Sequence, residues 1–294
     1  MKINRVLLAG GTHGNELTGA FLIKKFERFP QLIPRYSFKI QTLLSNPKAF
    51  AAGVRYIDQD LNRSFGQGFS GEGDLIAYEE LRAQEIQQLF GTQGKTPADF
   101  IIDLHSTTAN MGLTLIIDTE DTFTLQLVAY LSLVHPSIKV YDSGNSGRSQ
   151  DSLRSLSRFG LAIEVGPIAQ GVLAAEFFLQ TEALIFSILD YLEKVNHGEV
   201  PSLEQQLTTY RYVKAIDYPR NTSGEIQAMI HPQLQFKDYQ PLSPGNPLFL
   251  SFDGNIINYE EPSTVYPLFI NEAAYYEKGI AMCFTDKQQV QVSS

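Results

Sequence analysis

"VLLAGGTHGNELTGAFLIKKFERF", residues 6–29, runs from apolar residues through a glycine-rich loop into a segment with apolar residues at 17, 20, 21 and 23. That last spacing fits a helix lying on a sheet, so the stretch reads as strand, tight turn, helix. Glycine tolerates backbone angles other residues avoid, which lets the turn bend sharply and come close to whatever it holds. His13 and Glu16 then project from the end of a buried strand, three residues apart.

The alternation continues down the chain. "SFKIQTLLSNP" (37–47), "DFIIDLHS" (99–106), "TLIID" (114–118) and "GLAIEVGP" (160–167) read as strands. "DLIAYEELRAQEIQQLF" (74–90, closed by Gly91), "DTFTLQLVAYLSLVH" (121–135) and "AAEFFLQTEALIFSILDYLEKVN" (174–196) read as helices. Such alternation implies an α/β core around a parallel or mixed sheet. After "HGEVPSLEQQ" (197–206) the runs become short and β-like: "YRYVKAIDYP", "PLFLSFDGNIINYE" with "DGN" as a hairpin turn, and "STVYPLFI". A boundary is expected near 202, with an α/β domain over 1–202 and a smaller β-rich domain over 203–294.

The bulk composition bounds the function. A chain of 294 residues, 43% hydrophobic, has ample length for one large core or two ordinary ones. A single cysteine, Cys283, excludes an intramolecular disulfide and a zinc site built mainly of cysteine. The opening residues break into glycine after a short apolar run, and no stretch approaches the roughly 18 apolar residues of a membrane span. A reducing cytoplasm is the expected compartment. The net charge of −9 argues against nucleic-acid and anionic-membrane partners, which want a basic face. Oligomeric state is not legible, and a homo-oligomer stays open.

His105 ends the apolar run "DFIIDLH" and leads into the polar "STTANMG", so it too leaves a sheet at a strand end, where open α/β sheets bind ligands. His13, Glu16 and His105 supply two imidazoles and one carboxylate, a ligand set known for catalytic zinc with a fourth position open to water. The loop also reads as a phosphate cradle, but it has neither the GxxxxGK[ST] lysine nor GxGxxG spacing. His135, His197 and His231 sit at helix ends or before proline and read as structural.

Glu164 lies inside an apolar strand, and a buried carboxylate there needs a partner or a purpose. It is either half of a buried ion pair or a general base beside a metal-activated water. "RYIDQDLNRSF" (55–65) places Arg55, Asn62 and Arg63 together, a set able to grip a carboxylate, or else a surface salt-bridge cluster with Asp58 and Asp60. Arg154 offers a second anion contact, and "NEAAYYEKG" offers Tyr275 and Tyr276.

Together these stretches, with "IEVGPIAQGVL", "HPQLQFKDYQPLSPGNPLF" and "VYPLFINEAAYYEKG", resemble the aspartoacylase branch of the zinc deacylases related to carboxypeptidases, in the family's order and over nearly the whole chain. The resemblance implies a zinc carboxypeptidase-like mixed sheet with flanking helices, plus a smaller β-rich C-terminal domain narrowing the entrance. It implies a zinc-dependent amidohydrolase acting on linear amides. The implied reaction is hydrolysis of an N-acyl amino acid, foremost N-acetyl-L-aspartate, to acetate and L-aspartate. One zinc per subunit would be held by His13, Glu16 and His105. Glu164 matches the base, Arg55 the residue that polarises the scissile carbonyl, and Asn62 and Arg63 the carboxylate clamp. Arg154 falls where the family holds the substrate's side-chain carboxylate, and Tyr275 matches a substrate-contacting tyrosine. Gln150 stands where better-known aspartoacylases carry a tyrosine, which leaves deacylases of aromatic or glutamate-type substrates open. A metallocarboxypeptidase or a non-catalytic binder are the remaining rivals.

Overall fold

The computed structural model describes residues 1–66, 76–118, 120–147, 151–200, 203 and 205–292. The elements run β1 (Arg5–Gly10), α1 (Leu17–Arg28), β2 (Lys39–Leu44), α2 (Pro47–Ala52), α3 (Tyr78–Phe90), β3 (Phe100–Ser106), β4 (Gly112–Ile117), α4 (Thr122–Val134), β5 (Lys139–Asp142), β6 (Phe159–Gly166) and α5 (Ala175–His197). They continue with β7 (Gln205–Ile216), β8 (Ala228–Ile230), β9 (Pro247–Ser251), β10 (Ile256–Asn258), β11 (Tyr266–Leu268) and β12 (Met282–Val292).

The result is a mixed α/β fold. A nine-stranded sheet has the order β11-β12-β7-β5-β4-β6-β3-β1-β2, and a three-stranded sheet has the order β10-β9-β8. β2, β1, β3 and β6 are mutually parallel, whereas β4 runs antiparallel to β6 and β12 antiparallel to β7. From β1 the chain goes first to β2 on one side and later to β3 on the other. The carboxyl ends of β1 and β3 therefore flank a topological switch point, where such sheets open a crevice.

Strand alternation divides the sheet's two faces. Val6, Leu8, Phe100, Ile102, Leu104, Leu161, Ile163 and Val165 pack with α1, α4 and α5 in one large core. Leu7, Ala9 and Ile101 face the other way, against α3. The apolar run of β6 is thus two sets of side chains, and Ala162 and Glu164 belong to the second face. Two helix starts are capped by side chains: Asn46 accepts from Ala49 N at 3.1 Å at the start of α2, and Asp121 accepts from Thr124 N at 3.0 Å at the start of α4.

Some elements differ from the sequence reading. The helix expected from Asp74 begins at Tyr78, and residues 67–75 lie outside those described. β5 and β12 escape a hydrophobic reading. β12, "MCFTDKQQVQV", is polar along its second half because those residues are on a largely exposed stretch of the sheet. The "DGN" turn is present between β9 and β10, with Gly254 at φ +88. β7, β11 and β12 do not form a sheet of their own but prolong the large one, since β7 pairs in parallel with β5. Residues 201 and 202, at the expected boundary, lie outside those described.

Candidate active site

His13 and Glu16 leave β1 in a turn that the sequence makes obligatory. Gly11 has φ +66, and a Cβ on Gly14 would lie 2.1 Å from the Ala49 carbonyl carbon. The turn is pinned by Gly14 N donating to Arg55 O at 3.0 Å, which also fixes the start of the 55–65 segment. His105 ends β3, and its register partner across β6 is Glu164.

Both imidazoles turn Nδ1 toward one carboxylate. His13 Nδ1 lies 2.6 Å from Glu16 Oε1, and His105 Nδ1 lies 3.0 Å from Glu16 Oε2. Both turn Nε2 toward an aspartate: His13 to Asp60 Oδ1 at 2.9 Å, His105 to Asp103 Oδ2 at 2.7 Å. A carboxylate behind each imidazole fixes its orientation and raises its basicity as a ligand. Ligand atoms of His13, Glu16 and His105 lie within 4.8 Å of one another, and all three residues are buried. His13 Nδ1 is buried without a hydrogen bond despite its closeness to Glu16. A nitrogen and a carboxylate facing each other in this way fit a shared divalent cation.

The charges around the cluster are split. Burial would raise the Glu16 carboxyl, but His13 and His105 hold it well below the usual carboxylate range. Burial would likewise raise Asp60, yet His13, Arg55 and Lys278 keep it far below that range. Glu164 goes the other way: burial pushes it well above the ordinary value, and Glu16 adds to the effect. Two carboxylates in one cavity pushed apart in this manner suit two roles, one as a permanent anion and one as a proton carrier.

One cavity of about 170 Å³ is lined by His13, Glu16, His105, Glu164, Arg55, Asn62, Arg63, Arg154 and Tyr275, so every site residue expected from the sequence faces it. Their engagements differ. Arg55 donates to Glu16 Oε1 at 2.9 Å and reaches Asp60 Oδ2 at 3.5 Å. Asn62 is committed on both sides of its amide, donating to Asp103 Oδ2 at 3.0 Å and accepting from Leu153 N at 2.9 Å. Arg63 donates to the Asn62 carbonyl and lies 3.8 Å from Asp151 Oδ2. Arg154 forms a two-pronged pair with Asp118 at 2.6 and 2.7 Å. Tyr275 packs against Phe269 with ring centroids 5.3 Å apart, whereas the Tyr276 hydroxyl turns to Asn271. Gln150 lies outside the described residues.

Profiles of known families match almost the whole chain. The "Succinylglutamate desuccinylase/Aspartoacylase catalytic domain" covers residues 2–192, and the "AstE/AspA barrel-sandwich hybrid domain" covers residues 205–287. The chain belongs to the succinylglutamate desuccinylase/aspartoacylase family. A "Probable aspartoacylase" of Nostoc sp. is 55% identical over 294 residues, covering 100% of this chain and 99% of the relative. The human "N-acyl-aromatic-L-amino acid amidohydrolase (carboxylate-forming)" is 42% identical, covering 97% of this chain and 91% of its own. The crystal structure of murine aminoacylase 3 superposes with a TM-score of 0.91 at 39% identity, covering 100% of this chain and 98% of that one. The relatives' names are those of hydrolases acting on amide bonds.

Within this desuccinylase/aspartoacylase framework the sequence reading passed over Asp103, Glu272 and Glu79, and it offered Asp60 only as part of a surface salt-bridge cluster, whereas Asp60 is buried. Asp60 and Asp103 back the two histidines. Glu272 also lines the cavity and accepts from Thr108 N at 2.7 Å, from Thr108 Oγ1 and from Ala274 N, tying the loop after His105 to the C-terminal segment. Glu79 on α3, fully buried, accepts from the backbone N–H of Ile57, Asp58 and Gln59 and from Asn46 Nδ2. It braces the segment that carries Arg55, Asn62 and Arg63. Asp103 carried the same signal as Glu164, a carboxylate inside an apolar run, whereas Glu79 and Glu272 stand beside other polar residues and carried no distinct one. The histidines read as structural are so engaged: His135 meets Ser187 Oγ at 2.8 Å, His197 meets Glu193, and His231 Nδ1 accepts from Gln233 N.

Proposed function

We propose that the protein hydrolyses an N-acyl-L-amino acid to a carboxylate and the free amino acid, in a zinc-dependent reaction in the cytoplasm. N-acetyl-L-aspartate is the substrate that the sequence resemblance puts first. The observation that carries the reading is the His13–Glu16–His105 cluster with Glu164 beside it on the same sheet face. A zinc ion held by His13 Nδ1, Glu16 and His105 Nδ1 would lower the pKa of a water and polarise the acyl carbonyl.

The chain's own groups supply the rest. Glu164, raised by burial, accepts a proton from the attacking water as its new C–O bond forms, and returns it to the amide nitrogen as the C–N bond breaks. Arg55 borders the Glu16 carboxylate and can donate to the oxygen on which negative charge develops. Arg63 holds the substrate's α-carboxylate, and Asn62, its amide already engaged with Asp103 and Leu153 N, positions the segment beside it. Tyr275 contacts the bound molecule from the C-terminal segment, where Glu272 anchors it. No helix among the described residues is long and apolar enough to cross a membrane.

A second reading concerns only the side chain. Arg154 is neutralised by Asp118, which favours an uncharged or aromatic side chain over aspartate at that position. Acyl release from N-acetyl-aspartate, -glutamate and -phenylalanine, measured with metal analysis of the purified protein, tests both. A metal-free protein, or no release from any of the three, would refute the proposal.

A further inference from the structure

We infer that the end of the cavity away from the metal cluster is a subsite for an apolar arm of the substrate, and that Ala215 and Cys283 set how large that arm can be. This rests on the deacylase reading above. The arm is either the amino acid's side chain or its acyl chain, and the chemistry recognised is the same.

The strand register builds the floor. Glu164 and Ala162 are two residues apart on β6 and so share a face, about 7 Å from one another. Ala162 is the register partner of Ile116 on β4, and Ile116 is the partner of Tyr141 on β5. A row Ala162–Ile116–Tyr141 thus begins one pleat from the proposed base. All three line the cavity. Tyr141 meets Phe269 edge-on at 6.1 Å, and Phe269 meets Tyr275 at 5.3 Å, which closes an aromatic wall over the floor.

Ala215 on β7 and Cys283 on β12 are register partners, and both face the same cavity. Two small side chains opposite each other leave room that any larger pair would fill. The cation at this end and its nearest hydroxyl are already engaged: Arg154 with Asp118, and Ser143 with the Ile117 carbonyl and Asp118. An anionic arm would have to compete with Asp118 for Arg154, whereas an apolar arm need not.

The zinc-loaded full-length protein and its A215L and C283L variants decide the matter through kcat/KM on N-acetylalanine, N-acetylphenylalanine and N-octanoylalanine. The expected result is a fall of at least about tenfold in the ratio of a large substrate to N-acetylalanine, the size that one or two methylenes command in a filled pocket. A fall for N-acetylphenylalanine assigns the side chain to the subsite, and a fall for N-octanoylalanine assigns the acyl chain. Both ratios unchanged in variants that still melt cooperatively would overturn the subsite. If either leucine variant does not fold, A215V and C283V replace it, with a fall of about threefold expected. Wild-type protein that turns over N-acetylaspartate but none of the three overturns the subsite and leaves the deacylase reading standing, whereas protein that turns over none of the four refutes both.

Discussion

Glu164 and His105 are register partners across the parallel strands β6 and β3, so one backbone ladder sets a metal-ligand candidate and the proposed base side by side on the same face. The relationship is enforced by the large core on the opposite face, where Leu104, Ile163 and Val165 pack. A one-residue slip would bury both polar groups in that core, so the register is strongly specified.

Replacing Glu164 by Gln keeps the side chain's size and removes its proton affinity. Turnover should fall by about 10²–10⁴-fold, the usual worth of a general base. Bound zinc, measured by elemental analysis, should stay near one per chain. Activity near the wild-type level would remove Glu164 from that role.

Asp103 stands behind His105 at 2.7 Å and also accepts from Thr12 Oγ1 at 2.8 Å. Asp103→Ala frees the imidazole to rotate. Zinc affinity, read by competition with a chromophoric chelator, should weaken about 10–100-fold. An unchanged affinity would mean that the aspartate does not orient the ligand.

Glu79 gathers three backbone N–H groups of the 57–59 turn. Glu79→Ala leaves these donors without their acceptor in a buried setting. Urea unfolding should show a loss of about 3 kcal/mol, the upper end for a stranded buried polar group. A loss under about 1 kcal/mol would show that water replaces the carboxylate freely.

Asp238 joins the loop after β3 to the segment after β11, accepting from Asn110 N and Ile270 N, both at 3.1 Å. Burial pushes its carboxyl up to about 6 from an ordinary 3.8. The folded state therefore binds this proton more tightly than the unfolded chain does. The stabilisation is complete below about pH 4 and is lost as pH rises through about 6. The window is worth about 3 kcal/mol at 1.36 kcal/mol per unit. The difference in urea midpoint between wild type and Asp238→Asn should shift toward the variant between pH 4.5 and 7. A gap that does not change with pH would contradict this.

The candidate site was legible where one residue broke a local pattern. His13 and Glu16 interrupt a glycine turn after a strand, His105 ends an apolar run, and Glu164 sits inside one. Their partners were not legible, because pairing is set by the topology. Asp118 meets Arg154 across 36 residues of chain, and Glu272 meets Thr108 across 164. The fold was read well through the α/β part, where periodicity is strong. β12 was missed because Lys287, Gln289 and Gln291 face solvent or half-buried surface and mute the apolar signal. That strand and β7 tie the C-terminal part into the large sheet, which composition alone could not disclose.

The parallel ladder between β5 and β7 has a mechanical consequence. Swinging the C-terminal part away from the rest, as the two halves of a clamshell swing, would shear that ladder and its continuation into β12. Opening the crevice above His105 in that way would break backbone pairing as well as side-chain contacts.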